Sequence, residues 1–115
     1  MEIAVIIVLV VLFIVWRMMP TKGVKTISTE QLKSILNDKD KVFIDVRTHG
    51  EYKGRSIRQF KNIPLGSDFS KLPKDKEIVV ICQSGMRSSQ ACKQLKKLGY
   101  NNITNVRGGM SAWRG

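Results

Sequence analysis

Short runs of apolar, β-branched residues alternate along most of the chain with segments whose apolar positions recur at helical spacing. The central run, Ile78–Ile81, is continuously apolar, which is typical of a strand buried on both faces of a parallel sheet. Further strands are predicted at Val24–Ile27, Val42–Val46, Asn62–Leu65 and Ile103–Val106. The alternation predicts a small α/β domain with a mostly parallel, five-stranded sheet and helices on both of its faces.

Polar residues with capping chemistry mark the starts of two helices. Ser28 with Gln31, and Thr48 with Glu51, have the spacing of capping boxes, in which each side chain bonds the backbone N–H of the other residue. A longer helix is predicted after the central strand, with its inward face at Ser88, Ala91, Cys92, Leu95 and Leu98. A short helix over residues 110–113 is expected to close the domain.

The amino-terminal segment differs from the rest of the chain because Ile3–Trp16 is a run of fourteen apolar residues. A membrane-spanning helix usually needs about 17–25 such residues, and Met18 and Met19 lengthen the run. A cleaved signal peptide is the alternative, but the segment starts with the acidic Glu2 and lacks a small-residue cleavage site. We therefore expect an uncleaved single-pass transmembrane helix that contacts the membrane through residues 3–19.

Basic residues flank this helix on its carboxyl side, at Arg17, Lys22 and Lys25. Under the positive-inside rule this asymmetry predicts that the following domain faces the cytoplasm. The predicted division of the chain is a transmembrane anchor over residues 1–19, a linker over 20–25 and the α/β domain over 26–115.

The chain is strongly basic. Lys and Arg total 20 against 9 Asp and Glu, so the formal net charge is +11. A charge of this size is compatible with nucleic acid, an anionic membrane surface or anionic substrates as partners. Attraction of a tethered domain to an anionic leaflet explains the charge locally, so we expect no nucleic-acid partner.

Disulfide and metal-binding patterns are absent from the sequence. Cys82 and Cys92 are the two cysteines and His49 is the one histidine, which is neither a disulfide framework nor a set with metal-ligand spacing. We therefore expect no metal, no cofactor and a reducing compartment. We also expect a monomeric protein.

The candidate chemistry lies directly after the central strand, where Cys82 precedes a short turn and a helix. Gly85 allows the backbone N–H groups of this turn to converge on one point, and the helix adds its positive amino-terminal end. Arg87 adds a fixed charge to the same loop. These features favour a thiolate at Cys82 near neutral pH. The alternative is that Cys82 is a small, buried apolar residue.

The loop Cys82-Gln83-Ser84-Gly85-Met86-Arg87 has the Cys-x-x-Gly-x-Arg form of rhodanese active-site loops. Three further signatures of the rhodanese homology domain follow the same order as in that family. They are Asp45-Val46-Arg47 with Glu51-Tyr52, Asn62-Ile63-Pro64-Leu65, and the closing Val106-Arg107-Gly108-Gly109-Met110-Ser111-Ala112-Trp113. The chain thus resembles a bacterial single-domain rhodanese with a membrane anchor, over about Thr26 to Trp113.

The resemblance implies a sulfurtransferase in which Cys82 takes sulfane sulfur from thiosulfate or a persulfide and passes it to a thiophilic acceptor. Small sulfur donors and thiol or protein acceptors are the implied partners. The binding residues carried over from the family motif are Gln83, Ser84, Gly85, Met86 and Arg87. Asp45 and Arg47 are carried over as supporting residues.

The stretch between Tyr52 and Asn62 departs from the family pattern. Ser56 stands where the family has a histidine, and Gln59-Phe60 where it has Gly-Ala. The stretch is also basic, at Arg55, Arg58 and Lys61. A solvated basic loop is the simpler interpretation, and recognition of an acidic partner or of lipid headgroups is the alternative.

Several alternatives remain open at this stage. A cysteine-dependent phosphatase or arsenate reductase on the same fold is one, although such loops have five residues before the arginine where this chain has four. A non-enzymatic membrane-tethered binding module is another. Cys92 is expected to pack in the core, with a resolving role as the alternative, and His49 is expected to be a surface residue.

Overall fold

The computed structural model describes residues 2–18 and 23–115, with the side chains of residues 2–15 and 23–115. The helices are α1 (Glu2–Met18), α2 (Thr29–Ile35), α3 (His49–Gly54), α4 (Met86–Lys97) and α5 (Gly109–Ala112). The strands are β1 (Val24–Ile27), β2 (Lys41–Asp45), β3 (Lys61–Asn62), β4 (Glu77–Ile81) and β5 (Ile103–Val106).

The amino-terminal apolar run forms α1, but none of the described helices is long and apolar enough to cross a membrane. This finding does not support the predicted transmembrane anchor over residues 1–19. Residues 19–22 lie outside the described part, and the predicted linker over 20–25 ends earlier because β1 begins at Val24.

The five strands form one parallel sheet in the order β1-β5-β4-β2-β3. The predicted α/β class is therefore confirmed. The edge strand β3 is shorter than predicted and ends at Asn62. Beyond it, the N–H groups of Ile63 and Leu65 still bond Asp45 O and Val46 O, but Pro64 between them has no N–H to donate.

Both faces of the central strand are buried. Ile78 and Val80 of β4 pack into one apolar cluster with α4, while Val79 and Ile81 pack into another with α2 and α5. Two separate cores of this kind explain why the run is apolar at every position, because each face of the strand needs its own apolar side chains. Both predicted capping boxes are also present, at the starts of α2 and α3.

The parallel order brings the carboxyl ends of β2, β4 and β5 to the same edge of the sheet. Asp45 ends β2, Ile81 ends β4 and Val106 ends β5. The cysteine loop follows β4, Arg47 follows β2 and the closing glycine turn follows β5. The fold therefore gathers these motifs at one edge of the sheet.

Candidate active site

Cys82 directly follows β4 and is fully buried. Its Sγ atom accepts a hydrogen bond from the N–H of Gly85 at 2.9 Å and lies 3.3 Å from Ser88 Oγ. Ser88 Oγ in turn donates to Gly85 O at 3.1 Å. Of the described loop amides, that of Gly85 lies within hydrogen-bonding distance of Sγ, so the convergence expected from the sequence is carried here by one N–H group.

Glycine is needed in this loop for the direction of that N–H. Gly85 is the residue that precedes α4 and has a φ of 109°, a left-handed conformation that a residue with a Cβ adopts only with strain. In this conformation its N–H points back at Cys82 Sγ. A donor aimed at sulfur stabilises a negative charge on it, which favours nucleophilic chemistry.

Arg87 forms a bidentate ion pair with Glu51 of α3. Its Nη1 and Nη2 atoms lie 2.6 and 2.8 Å from the two carboxylate oxygens. The pair lowers the pKa of Glu51 to about 2. It also raises the pKa of Arg87, to which negative charge on Cys82 and Asp45 contributes less. The arginine thus fastens the loop to α3 with both terminal nitrogens, a role that the sequence did not indicate.

Replacing Glu51 with glutamine should remove a pH-dependent part of the stability. Because the pKa of Glu51 falls from 4.5 to about 2 on folding, its ion pair stabilises the fold above pH 4.5 and is lost as the pH falls toward 2. The pair is partly exposed, so we expect a loss of about 1 kcal/mol at pH 7 and almost none at pH 2. Denaturant unfolding at both pH values measures this difference.

Glutamine suits this test because it can keep the capping box, whose third position accepts Glu or Gln. The matched control is Glu30→Gln, which removes an exposed carboxylate from the first turn of α2. A loss for Glu51→Gln that is the same at pH 7 and pH 2 would contradict the expected role of the ion pair.

Asp45 and Arg47 form a second ion pair, which is buried beside the loop. They are 0% and 2% exposed, and Arg47 Nη2 lies 2.8 Å from Asp45 Oδ2. Arg47 also donates to Gln83 Oε1 at 3.3 Å and to the carbonyl oxygens of Glu51 and Arg55. The pair therefore joins the end of β2 to α3 and to the cysteine loop, where it can support the loop without touching Sγ.

The turn at the start of α5 lies against the back of the cysteine loop. Met110 N–H donates to Cys82 O at 2.8 Å, and Ser111 N–H and Oγ donate to Gln83 O at 2.9 and 2.8 Å. A Cβ added at Gly109 would lie inside van der Waals contact with Cys82 O. Sequence reasoning missed this contact. The signal was present as two consecutive glycines one residue after the last strand, at the edge that also holds Cys82.

Arg55 holds α5 from its carboxyl end. Its Nη1 donates to Met110 O at 3.1 Å and its Nη2 to Trp113 O at 2.6 Å, where carbonyl groups at a helix end need donors. Arg55 is exposed, in line with the predicted solvated basic loop, but its guanidinium also reaches across to the closing helix, which the sequence did not indicate. In this way Arg55 supports the turn that backs the cysteine loop.

The remaining candidates occupy different environments. Met86 at the start of α4 is 76% exposed, Ser84 is exposed, and His49 is exposed at the start of α3. Cys92 lies on the buried face of α4 and is 1% exposed, which confirms the predicted packing role. Burial, with a smaller effect of charge on Cys82, raises the pKa of Cys92 to about 12, so it stays a thiol. Within residues 2–18 and 23–115 no three acidic, His or Cys side chains could hold a metal ion.

Fold and site together define an α/β domain with a buried cysteine in a glycine-containing loop at the carboxyl edge of a parallel sheet. The family model of the rhodanese-like domain matches residues 28–115. The chain belongs to this family.

Relatives and solved structures agree with this assignment. The chain is 44% identical over 96 residues to the putative sulfurtransferase YtwF of Bacillus subtilis, covering 80% of this chain and 92% of that protein. It is 37% identical over 94 residues to a sulfurtransferase of Allochromatium vinosum, covering 78% and 88%. A rhodanese-like domain protein of Staphylococcus aureus has a similar structure, with a TM-score of 0.69, 33% identity and coverage of 77% and 90%.

Proposed function

We propose that this protein is a sulfurtransferase that carries sulfane sulfur on Cys82. The observation that carries the proposal is the hydrogen bond from Gly85 N–H to Cys82 Sγ. The relatives of this chain also include proteins named sulfurtransferases. The donor amide favours the thiolate, and a thiolate attacks sulfane sulfur readily.

The reaction consists of two sulfur–sulfur exchanges. The Cys82 thiolate attacks the outer sulfur of a donor persulfide, the donor's S–S bond breaks, and the donor leaves as a thiolate. An acceptor thiolate then attacks the outer sulfur on Cys82, whose new S–S bond breaks and returns the Cys82 thiolate. No external oxidant or reductant is needed, because one sulfane sulfur atom moves from thiol to thiol.

The loop is better suited to sulfur than to phosphate. A phosphatase needs a guanidinium that is free to bind two phosphate oxygens, but both terminal nitrogens of Arg87 bond Glu51. Four residues separate Cys82 from Arg87, which leaves a small loop around the sulfur. Both features favour sulfur transfer over the phosphatase and arsenate reductase alternatives.

Persulfides are the proposed donors, in preference to thiosulfate. Gln83 follows the nucleophile and is neutral, and its side chain bonds Arg47 and Ser111. The charge of Arg47 is balanced by Asp45. A doubly charged donor such as thiosulfate therefore meets no free base at this position, whereas a persulfide needs none.

Intact-mass analysis of the protein after exposure to glutathione persulfide tests the proposal. We expect the chain to gain one sulfur atom, to lose it again when a thiol is added, and to load more slowly from thiosulfate at equal concentration. Cys82→Ser should gain no sulfur. Cys92→Ala, which changes the other buried cysteine, is the matched control and should load like the unchanged protein.

Two outcomes would overturn this function. One is a protein that never gains sulfur from any donor while remaining folded. The other is a gain that persists in Cys82→Ser and is lost in Cys92→Ala, which would move the chemistry to the other cysteine. Phosphatase activity that depends on Cys82, without sulfur loading, would favour the alternative class.

A further inference from the structure

The loop that holds Cys82 is bordered by basic side chains without acidic partners. Because the sheet is parallel, the segments that follow its strands share the carboxyl edge with this loop. Several exposed bases in or next to these segments form no ion pair within the part of the chain that the structure describes. We define the basic rim as four of them, Lys53, Arg58, Lys61 and Arg107.

Acidic residues near the loop do not neutralise this rim. Asp45 and Glu51, which lie beside the cysteine loop, are each already paired with an arginine. The other acids in segments that follow strands, apart from those that lead directly into β2 and β4, are Glu30 and Asp68. The carboxyl edge therefore keeps an excess of unpaired positive charge around its nucleophile.

The opposite edge of the sheet also carries bases without ion pairs in the described residues, among them Lys96 and Lys97 at the end of α4. Residues 38–41 and 74–77, which lead into β2 and β4, alternate acids with lysines. Lys41 there bonds both Asp38 and Glu77. The basic rim therefore differs from the bases of the opposite edge in its position beside the site of chemistry, and not in the amount of charge.

Met86 adds an apolar contact point to the same surface. It lies inside the cysteine loop and is 76% exposed, whereas the other exposed large apolar side chain in residues 23–115 is Leu98 at the far end of α4. Methionine and arginine are enriched in protein–protein interfaces. Recognition of single-stranded RNA usually needs exposed aromatic rings for stacking, and no aromatic side chain in residues 23–115 is exposed.

We propose that the sulfur acceptor is a thiol on the acidic face of a protein, which docks on Met86 and the basic rim. The inference rests on the proposed sulfurtransferase function and deepens it. The occupant must bring a thiol to Cys82, which a lipid surface does not, and its charge must be opposite to that of the rim.

The docked thiolate attacks the outer sulfur on Cys82. The bond between that sulfur and Cys82 Sγ breaks, the Cys82 thiolate leaves toward the N–H of Gly85, and the partner keeps a persulfide. The rim raises the rate by attracting the acidic face before contact, so its effect weakens as salt screens it.

Transfer to synthetic peptides measures this preference. The full-length protein, loaded with sulfur, is offered three peptides that each carry one cysteine and differ only in flanking glutamates, glutamines or lysines. At about 0.01 M salt, we expect the glutamate peptide to be favoured over the glutamine peptide by about tenfold in kcat/KM. At about 1 M salt, where the Debye length is about 3 Å, the preference should disappear.

Charge reversal locates the effect. The rim variant Arg58→Glu, Lys61→Glu, Arg107→Glu should lose the preference for the glutamate peptide and keep its rate with the glutamine peptide. The matched control Lys39→Glu, Lys76→Glu, Lys93→Glu changes the net charge equally at exposed positions away from the carboxyl edge. It should keep the preference, because the sulfur chemistry and the rim are unchanged.

Equal loss of preference in both triple variants would overturn the docking surface, since net charge alone would then explain it. So would rim-dependent binding of bulk tRNA or of phosphatidylserine vesicles at about 0.15 M salt with no peptide preference. If the protein never loads sulfur, the proposed function fails first. If it loads sulfur and transfers it to all three peptides with the same kcat/KM, only the proposed docking surface is wrong.

Discussion

Replacing Gly109 with alanine should reduce sulfur transfer by at least about a hundredfold, because the added methyl group would displace the loop that holds Cys82. An added Cβ would overlap Cys82 O and lie 2.9 Å from the carbonyl carbons of both Cys82 and Gln83. These are backbone atoms on the loop itself, so no flexible side chain can move away to make room. A shift of about 1 Å in a reacting group commonly costs about a hundredfold in rate.

The measurement is the rate of loading of Cys82 from glutathione persulfide, followed by intact mass. Gly66→Ala is the matched control, because Gly66 also has a positive φ of 95° but nothing within 4 Å of an added Cβ. It therefore carries the conformational cost without the collision. Circular dichroism and denaturant unfolding show whether each variant is folded. Loading at the unchanged rate in folded Gly109→Ala would show that the loop does not need this close approach.

Local patterns predicted the fold well, because the interactions that form it are short in sequence. The apolar run Ile78–Ile81 became the central strand, and both capping boxes start helices where expected. The position of Cys82 at the end of that strand followed from the same pattern. These features depend on residues within about one helical turn or one strand of each other, which is what periodicity and capping can detect.

The parts that sequence reasoning missed are contacts between distant segments. The partner of Arg87 is Glu51, and the partners of Arg55 are carbonyl groups of residues 110 and 113. Neither pairing leaves a periodic signal, because the partners meet only after the parallel sheet has formed. The same holds for Gly109, whose role is the close approach of two backbones that are far apart in sequence.

Charge alone did not show which bases are structural and which are free. Arg47, Arg55 and Arg87 all bond groups within the domain, although the sequence places them among many similar bases. The fold supplies this division, and the basic rim belongs to the bases that form no ion pair in the described residues.

Replacing Asp45 with asparagine should cost about 3–5 kcal/mol in the free energy of unfolding. Asparagine keeps the size of the side chain but removes the charge that balances Arg47, which is 2% exposed. A buried guanidinium without a counter-charge is expensive because its hydration is not replaced. Denaturant unfolding at pH 7 measures the loss. The matched control is Asp38→Asn, which breaks a partly exposed pair with Lys41 and should cost far less, because exposed ion pairs contribute little to stability.

The double variant Asp45→Asn, Arg47→Met distinguishes the cost of an unpaired charge on Arg47 from the loss of the hydrogen bonds that Arg47 makes to the loop. If the cost arises from an uncompensated buried charge, removing the guanidinium should recover part of the stability. Sulfur loading should be slower in the double variant than in the unchanged protein, because Gln83 and the carbonyl oxygens of residues 51 and 55 lose the donor that joins them to β2. A cost for Asp45→Asn no larger than that of Asp38→Asn would show that Arg47 finds other compensation. Recovery of both stability and loading would show that the pair has no part in holding the loop.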